Sequence, residues 1–146
     1  MIQIAFTVPG VPVAKGRARA VRRRGKGGKE YIAMVTPEQT EVYENLVKLA
    51  AQAAMKVLQC PMLLGPVELR VRAFFPIPAS WSLKKQRAAA LGDLIHESRP
   101  DLDNVVKAIK DGCNSVAWKD DSQVADLVAR KRYGEPRVEV EVRRIA

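Results

Sequence analysis

The sequence has few cysteines and no long apolar segment, and each absence excludes a class of protein. Only two cysteines, Cys60 and Cys113, occur among 146 residues, and their spacing fits neither a disulfide framework nor a zinc site. No apolar run approaches the ~20 residues that cross a bilayer, and the N-terminus lacks the pattern of a signal peptide. We therefore expect a soluble, unexported, cytoplasmic protein with two buried, reduced thiols.

Acidic residues are absent from one segment, 15–29, although the chain carries 16 of them. The cationic residues of this glycine-rich segment are Lys15, Arg17, Arg19, Arg22, Arg23, Arg24, Lys26 and Lys29. Because the whole chain has a net charge of +9, we interpret residues 14–30 as a flexible basic loop that binds a nucleic-acid backbone. A solvated loop without a ligand is the alternative. An acidic lipid surface is disfavoured, since the segment has no Trp or Phe to insert.

Alternating apolar residues predict the strands of the fold. The predicted strands cover residues 2–8, 30–35, 66–75, 123–133 and 137–145. The last two strands flank a tight turn at 134–136. No internal repeat, linker or low-complexity tract divides the chain, so its 146 residues indicate one globular domain with a sizeable core.

Helical spacing predicts three helices. Thr36 is the expected N-cap of the first, with Pro37 at its first position, and this helix should run to about Leu58. Its apolar stripe, assigned to the core, consists of Val42, Leu46, Leu49, Ala53 and Val57. A short surface helix ends at Gly92, and a third helix begins near Asp103 and buries Val105, Val106, Ile109, Cys113 and Val116. We expect an α+β fold in which a small mixed sheet packs against two main helices.

Two pairs of aspartates flank the third helix. Asp101 and Asp103 stand at its start, and Asp120 and Asp121 follow its end. An N-cap role explains Asp103 well and Asp101 poorly, while Lys107 could simply form an ion pair with Asp103 one turn away. If the strand after Asp121 runs back along the helix, the carboxylates converge and require a cation. Such hard oxygen ligands suit Mg²⁺ or Mn²⁺.

Other phosphate and metal motifs are excluded by their spacing. A calcium EF-hand starting at Asp101 would place Val106 where glycine is required and Gly112 where glutamate is required. The stretch GKGGKE lacks the spacing of a P-loop. A basic surface combined with an acidic cluster is what a metal-dependent nuclease needs, because the metal activates water while cations hold the flanking phosphates.

The acidic segments also carry a resemblance. RPDLDNVVKAIKDGCN followed by VAWKDDSQV resembles the signature of the RusA family of Holliday junction resolvases, D-x-D-N-x-x-K-A and W/Y-x-D-D-x-Q-V. VPVAKGRARA and TPEQTEVYENLVKLAA extend the resemblance over most of the chain. It implies a homodimeric endonuclease that binds four-way DNA junctions in recombination and repair and, with Mg²⁺ or Mn²⁺, introduces paired nicks in strands of like polarity.

The resemblance also implies roles for single residues. Asp101, Asp103 and Asp121 would be the catalytic, metal-binding carboxylates, and Lys107 would be important for cleavage. Asp120 would be a further ligand or a partner of the ligands. His96 lies close enough in sequence to reach the site, but a lone histidine is more often structural, and we favour that interpretation.

Two other functions stay open. The first is a basic nucleic-acid-binding module without catalysis, in which the carboxylates only cap a helix and form salt bridges. The second, less favoured because no P-loop is present, is a Mg-dependent phosphohydrolase of small substrates.

Overall fold

The computed structural model describes residues 3–35 and 37–146, and within these ranges it has six strands and three α-helices. The strands are β1 (Ile4–Pro9), β2 (Arg19–Arg24), β3 (Glu30–Val35), β4 (Val67–Phe75), β5 (Val124–Tyr133) and β6 (Arg137–Arg144). The helices are α1 (Glu38–Leu58), α2 (Leu83–Leu91) and α3 (Leu102–Cys113). The α+β fold expected from the sequence, a mixed sheet with two main helices in one small domain, is confirmed. The predicted N-cap at Thr36 and the first residue of the first predicted strand, Ile2, lie outside the described residues.

The main sheet has four strands in the order β1-β6-β4-β5. β4 pairs in parallel with β5 and antiparallel with β6, and β6 also pairs antiparallel with β1. The predicted inward residues of β4 and β6 are buried as expected: Val67, Leu69, Val71, Ala73, Val138, Val140 and Val142. β5 and β6 are joined by a short turn, but they do not pair with each other. β4 lies between them and pairs with both strands.

Helix α1 buries a different face from the one predicted. Its buried residues are Thr40, Tyr43, Val47 and Ala51, which pack against the sheet and α3. The predicted core stripe instead faces solvent, with Val42 62%, Leu49 63% and Val57 82% exposed. That prediction is wrong because α1 has two adjoining apolar faces, and periodicity alone does not say which one meets the sheet.

Helix α3 is placed by close contact with α1. The buried residues predicted for this region, including Val105, Ile109 and Cys113, are confirmed. A Cβ added at Gly112 would lie 2.6 Å from Cβ of Val47 and 2.9 Å from the carbonyl oxygen of Glu44. Because glycine has no Cβ, the backbone of α3 at Gly112 can lie against the side chain of Val47 and the backbone of α1 at Glu44.

The basic segment forms regular structure in place of the predicted loop. β2 and β3 pair as an antiparallel hairpin, with Arg22 opposite Ile32 and Arg23 opposite Tyr31. Gly27 and Gly28, at the turn, have φ of 79° and 74°, a left-handed conformation that favours glycine. The prediction of an irregular loop is wrong for β2, since its backbone groups find partners in β3. The predicted short strand at 30–35 is confirmed.

The short helix and the two cysteines agree with the sequence in most respects. α2 ends at Gly92 as expected, with φ of 82°. Cys60 and Cys113 are both free, but only Cys113 is buried. Among the helices of residues 3–35 and 37–146, none is sufficiently long and apolar to span a membrane.

Replacing Gly112 by alanine tests the contact between α1 and α3. We expect Gly112→Ala to lower the free energy of unfolding by about 1–3 kcal/mol, since the new methyl group must push apart Val47 and the backbone at Glu44. Chemical denaturation of the variant measures this loss. Gln52→Ala, an exposed change on α1, is the control and should change stability by less than ~0.5 kcal/mol. An unchanged stability of Gly112→Ala would contradict the close packing.

Candidate active site

A cleft of about 480 Å³ lies beside the exposed side of α3. The residues that line it are Asp103, Asn104, Val106, Lys107, Lys110, Asp111, Asp121 and Leu127. Asp103, Lys107 and Lys110 follow one another at steps of four and three residues, so they lie along one side of the helix. Asp121 begins the short 3₁₀ turn at 121–123 that leads into β5. The cleft therefore brings together one aspartate from each acidic pair.

Asp121 is held in place by a buried tryptophan. The indole Nε1–H of Trp118 donates a hydrogen bond to Oδ1 of Asp121 over 2.8 Å, and Trp118 itself is fully buried. Burial, followed by the negative charge of Asp121, raises the pKa of the nearby Cys113 thiol to about 12. Cys113 therefore stays protonated at neutral pH and is unsuited to act as a nucleophile.

Asp120 shapes the turn that presents Asp121. Its carboxylate accepts a hydrogen bond from the backbone N–H of Ser122 over 3.0 Å, and hydrogen bonds from Ser122 lower the pKa of Asp120. The side chain of Gln123 accepts from the N–H groups of Lys119 and Asp120 and donates to the carbonyl oxygens of Leu63 and Gly65. Sequence reasoning missed Gln123, although its position in the segment DDSQ fits a capping box.

Asp101, rather than Asp103, is the N-cap of α3. Its carboxylate is exposed and makes no capping hydrogen bond to the helix. The loop before it is fixed by Lys131 on β5, whose Nζ donates to the carbonyl oxygens of Ser98 (2.7 Å) and Pro100 (3.0 Å). Nothing in the sequence indicated Lys131, because this contact joins residues about thirty positions apart.

The donor set of the cleft fits a divalent cation that keeps most of its water. In residues 3–35 and 37–146, no three Asp, Glu, His or Cys side chains come together closely enough to enclose a metal ion. Mg²⁺, however, commonly binds through one or two carboxylates plus water and substrate phosphate oxygens. Asp103 and Asp121 can supply such carboxylates. The metal-binding roles of Asp101 and Asp120, which lie outside the cleft lining, stay predictions.

Lys107 is not used in the ion pair that was its alternative explanation. No salt bridge joins it to Asp103 or to any other acidic residue within the described part of the chain. Lys107 is exposed and lines the cleft one helical turn after Asp103. Its ammonium group is therefore available to an anionic ligand. Lys110, which sequence reasoning missed, follows on the same side of the helix and could have been found from that spacing.

Lys15 joins the basic segment to the rim of the cleft. Its Nζ lies 2.6 Å from a carboxylate oxygen of Glu44 on α1 and 3.0 Å from one of Asp111 on α3. Burial alone lowers the pKa of Lys15, but the hydrogen bonds and charges of these two carboxylates outweigh it, so the pKa is raised. The backbone N–H of Lys15 also donates to the carbonyl oxygen of Asn104 over 2.9 Å. The DNA contact predicted for Lys15 stays a prediction, since its charge is already shared by two carboxylates.

The other predicted DNA-binding residues are exposed to solvent, on or beside the hairpin of β2 and β3. The exposed members of this set are Arg17, Arg19, Arg22, Arg23, Arg24, Lys26 and Lys29. The segment that precedes them is anchored at Gly16, whose N–H donates to Oγ1 of Thr40 over 3.0 Å. The base of the basic hairpin is therefore anchored to α1, which packs against α3, the helix that lines the cleft.

His96 lies in an aromatic cluster. Its ring stacks on Phe75 with 4.2 Å between ring centroids, and its centroid lies 5.0 Å from that of Tyr133. The residue is only 9% exposed and is not among the residues that line the cleft. Burial, followed by the charge of Lys131, lowers its pKa below the ordinary 6.5. These contacts support the structural interpretation of His96.

The lowered pKa of His96 predicts a loss of stability in mild acid. As the pH falls below about 6.5, the unfolded chain takes up a proton at this residue while the folded protein does not, so unfolding becomes more favourable. One such group contributes at most about 1.4 kcal/mol per pH unit.

We expect His96→Phe, which keeps the stacked ring, to lose less stability than the wild type between pH 7.5 and pH 5.5. Denaturation at both pH values measures the difference. An equal loss in the two proteins would show that His96 is not held in its neutral form.

Comparisons with known proteins identify the family of this chain. The family described as "Endodeoxyribonuclease RusA" matches residues 9–143. The "Uncharacterized protein YqaN" of Bacillus subtilis (strain 168) is 40% identical over 146 residues, which cover 98% of this chain and 97% of that protein. The family match spans both acidic pairs, the cleft and the basic hairpin. This chain therefore belongs to the RusA family of endodeoxyribonucleases.

Proposed function

We propose that this protein is a divalent-metal-dependent endodeoxyribonuclease that resolves four-way DNA junctions by paired nicks. The RusA family acts on Holliday junctions, and its nucleases depend in general on divalent metal. One observation carries the proposal for this chain: Asp103, Lys107 and Asp121 line a single cleft. A basic hairpin begins at the rim of that cleft, so the acidic site and its polyanionic substrate would meet there.

Asp103 and Asp121 are the residues we assign to the metal, with Mg²⁺ as the cofactor and Mn²⁺ as a substitute. A divalent cation would lower the pKa of a bound water and offset the negative charge that develops on the phosphate during hydrolysis. Oδ1 of Asp121 is already engaged by Trp118, so its second carboxylate oxygen is the one free for a ligand. Asp101, exposed at the N-cap of α3, would join them when DNA is bound, and Asp120 would hold the turn in shape.

The lysines of α3 would bind the substrate. Lys107 and Lys110 lie on the same side of the helix as Asp103, so their ammonium groups can contact the phosphate to be cut and its neighbour. Lys107, one turn from Asp103, is placed to neutralise the phosphate that the attacking water approaches. The apolar side chains of Val106 and Leu127 line the same cleft.

The basic hairpin would hold the duplex arms of the junction. A two-stranded ribbon fits the major groove of B-form DNA, and arginines beside the groove contact phosphates without reading sequence. A four-way junction must be cut at two positions related by an approximate two-fold axis, and a homodimer with one cleft per subunit meets that need.

Replacing the cleft aspartates tests the metal site. We expect Asp103→Asn and Asp121→Asn each to lower the rate of junction nicking in saturating Mg²⁺ by ~100-fold or more, because each removes a ligand. DNA binding in EDTA should persist, since each change also removes a negative charge near phosphate. Strand-mapped cleavage of a synthetic mobile junction, with Mg²⁺, Mn²⁺ or EDTA, measures both. Retention of the junction without nicks by the wild type would favour the non-catalytic binding module.

Three further variants separate the roles of the remaining acidic residues. Asp126→Asn is the matched control, because Asp126 is an exposed residue of β5 outside the cleft lining and its loss should leave nicking unchanged. Asparagine can still cap a helix, so Asp120→Asn should be active if Asp120 only shapes the turn. Asp101→Asn should be inactive if its carboxylate completes the metal site. Near-normal cleavage by both Asp103→Asn and Asp121→Asn would remove the assignment.

The hairpin predicts a salt-dependent contribution to binding. We expect Arg22→Ala or Arg23→Ala to weaken binding to every junction sequence alike and to lower the slope of log K against log salt by about 0.9 for each phosphate that the variant no longer neutralises. Fluorescence anisotropy in EDTA across a salt series measures the slope. Arg87→Ala, which removes an exposed arginine of α2, is the control for net charge. Equal effects of the hairpin and control variants would mean that the hairpin makes no specific contact.

A further inference from the structure

The segment that leads into α3, residues 95–101, has no regular secondary structure. It lies between α2 and α3 and belongs to no helix or strand. Its N-terminal part is held by the ring of His96, which stacks on Phe75, and it ends at Asp101, the N-cap of α3. Within the described part of the chain, residues 95–100 make no backbone–backbone hydrogen bond. The position of Asp101 therefore depends on the other contacts of this segment.

Lys131 of β5 makes the hydrogen bonds to this stretch of backbone. Its Nζ donates to the carbonyl oxygens of Ser98 over 2.7 Å and of Pro100 over 3.0 Å. No carboxylate of residues 3–35 and 37–146 forms a salt bridge with Lys131. Hydrogen bonds from a charged donor are stronger than those between neutral groups. One ammonium group thus holds the backbone directly before Asp101.

The strand that carries Lys131 also positions the second acidic pair. The short 3₁₀ turn that contains Asp121 leads directly into β5. Lys131 pairs with Ala73 of β4, a fully buried residue, so its side chain lies on the face of the sheet that packs against the helices. Leu127, on the same face of β5, lines the cleft. β5 therefore holds Asp121 through its first turn and the backbone before Asp101 through Lys131.

We propose that Lys131 is a positioning residue of the active site, which sets the place of Asp101 relative to Asp121. Its two hydrogen bonds keep the segment against β5, so that the carboxylate of Asp101 can join those of Asp103 and Asp121 on a divalent metal ion when DNA is bound. The inference rests on the proposed function and deepens it. Residues that orient metal ligands commonly affect metal affinity as strongly as a ligand does. Lys131 would therefore act through Asp101 and not by contact with the substrate.

Two other roles of Lys131 predict different results. A contact with a DNA phosphate is disfavoured, because the side chain is half-buried and two of the three N–H groups of its ammonium already donate to carbonyl oxygens. A role in stability alone would lower the free energy of unfolding without changing the response to metal. The first alternative would weaken junction binding in EDTA, and the second would leave binding and metal dependence unchanged in the folded protein.

Replacing Lys131 by methionine removes both hydrogen bonds and keeps a long side chain. We expect Lys131→Met to lower the rate of junction nicking ~10- to 100-fold and to raise the Mg²⁺ concentration that gives half the maximal rate. The junction Kd in EDTA should stay close to that of the wild type. Lys131→Arg, which can still donate to both carbonyl oxygens, should recover most of the rate. Arg130→Met is the matched control, because Arg130 is exposed on the opposite face of the same strand.

Junction binding in Ca²⁺ tests the link to Asp101 without cleavage. Ca²⁺ also takes carboxylate and phosphate oxygens as ligands, so a metal ion shared by protein and junction should tighten binding by about tenfold relative to EDTA. We expect Lys131→Met and Asp101→Asn each to reduce this gain several-fold. The double variant should lose no more than Asp101→Asn alone, because both changes act on one carboxylate. Fluorescence anisotropy measures the gain, and additive losses would overturn the proposal.

Limited proteolysis measures the hold on the segment without metal or DNA. Glu97 is exposed within the segment, so a glutamyl endopeptidase cuts after it when the segment opens. We expect faster cutting at Glu97 in Lys131→Met than in the wild type or in Arg130→Met, well below the unfolding temperature of all three. Thermal unfolding checks that the variants are folded. Equal cutting rates would show that Lys131 does not hold the segment, and the proposal would fail.

The results distinguish this proposal from the proposed function. A wild type that nicks junctions, together with a Lys131→Met protein that nicks equally well at every Mg²⁺ concentration, would overturn the positioning role and leave the nuclease intact. A wild type that nicks no junction in Mg²⁺ or Mn²⁺ would instead overturn the proposed function itself, whatever the rate of cutting at Glu97.

Discussion

The arrangement of this protein depends on one ion pair, in which two carboxylates share the ammonium group of Lys15. This group contacts a carboxylate of α1, that of Glu44, and a carboxylate of α3, that of Asp111. The backbone of the same residue donates to Asn104 at the start of α3. One residue thereby ties together both main helices and the root of the basic hairpin. Because all three charged groups are half-buried, water screens these contacts less than it would on an open surface.

The same interaction divides the carboxylates around the cleft into two kinds. Asp111 lines the cleft, but it shares the single positive charge of Lys15 with Glu44, so its own charge is partly offset. Asp103 and Asp121 have no such basic partner within the described residues, and Asp121 is oriented by the neutral indole of Trp118. A chain of net charge +9 thus keeps three aspartates, Asp103, Asp111 and Asp121, along one cleft beside two lysines, while a group of exposed arginines lies on or beside the hairpin. That arrangement would let the protein attract DNA and still bind a metal ion, as the proposed function requires.

The sequence predicted the parts of the fold in which local pattern and tertiary environment agree. β4, β6 and α3 each have one buried face, so the alternation of Val138, Val140 and Val142 and the helical spacing of Val105 and Ile109 predicted their burial correctly. The pairing of β5 with β4 could not be predicted, because a short turn beside β6 favours a hairpin whenever no third strand intervenes. The hairpin of β2 and β3 was also missed, since its arginines and glycines outweigh its few strand-forming residues.

The candidate site likewise has residues that sequence pattern predicts and residues that only tertiary contacts bring to it. The two acidic pairs were identified from their positions at the ends of α3, and Asp103 and Asp121 line one cleft because the chain returns along the helix after it ends. Lys131 and Trp118 act on the site through contacts that only folding creates, and Gln123 fixes the turn by reaching carbonyl groups some sixty positions away. Sequence pattern shows which residues have the chemistry for a site. The residues that position them are specified by packing.

The error on α1 has a physical cause that applies beyond this protein. A helix needs an apolar stripe to join a core, and it needs the same kind of stripe to join another subunit, so hydrophobic spacing cannot distinguish the two. On α1 the core takes the face of Tyr43 and Val47, and the longer, more regular stripe of leucines and valines is left outside. Leaving that stripe in water would reduce solubility without any gain in folding.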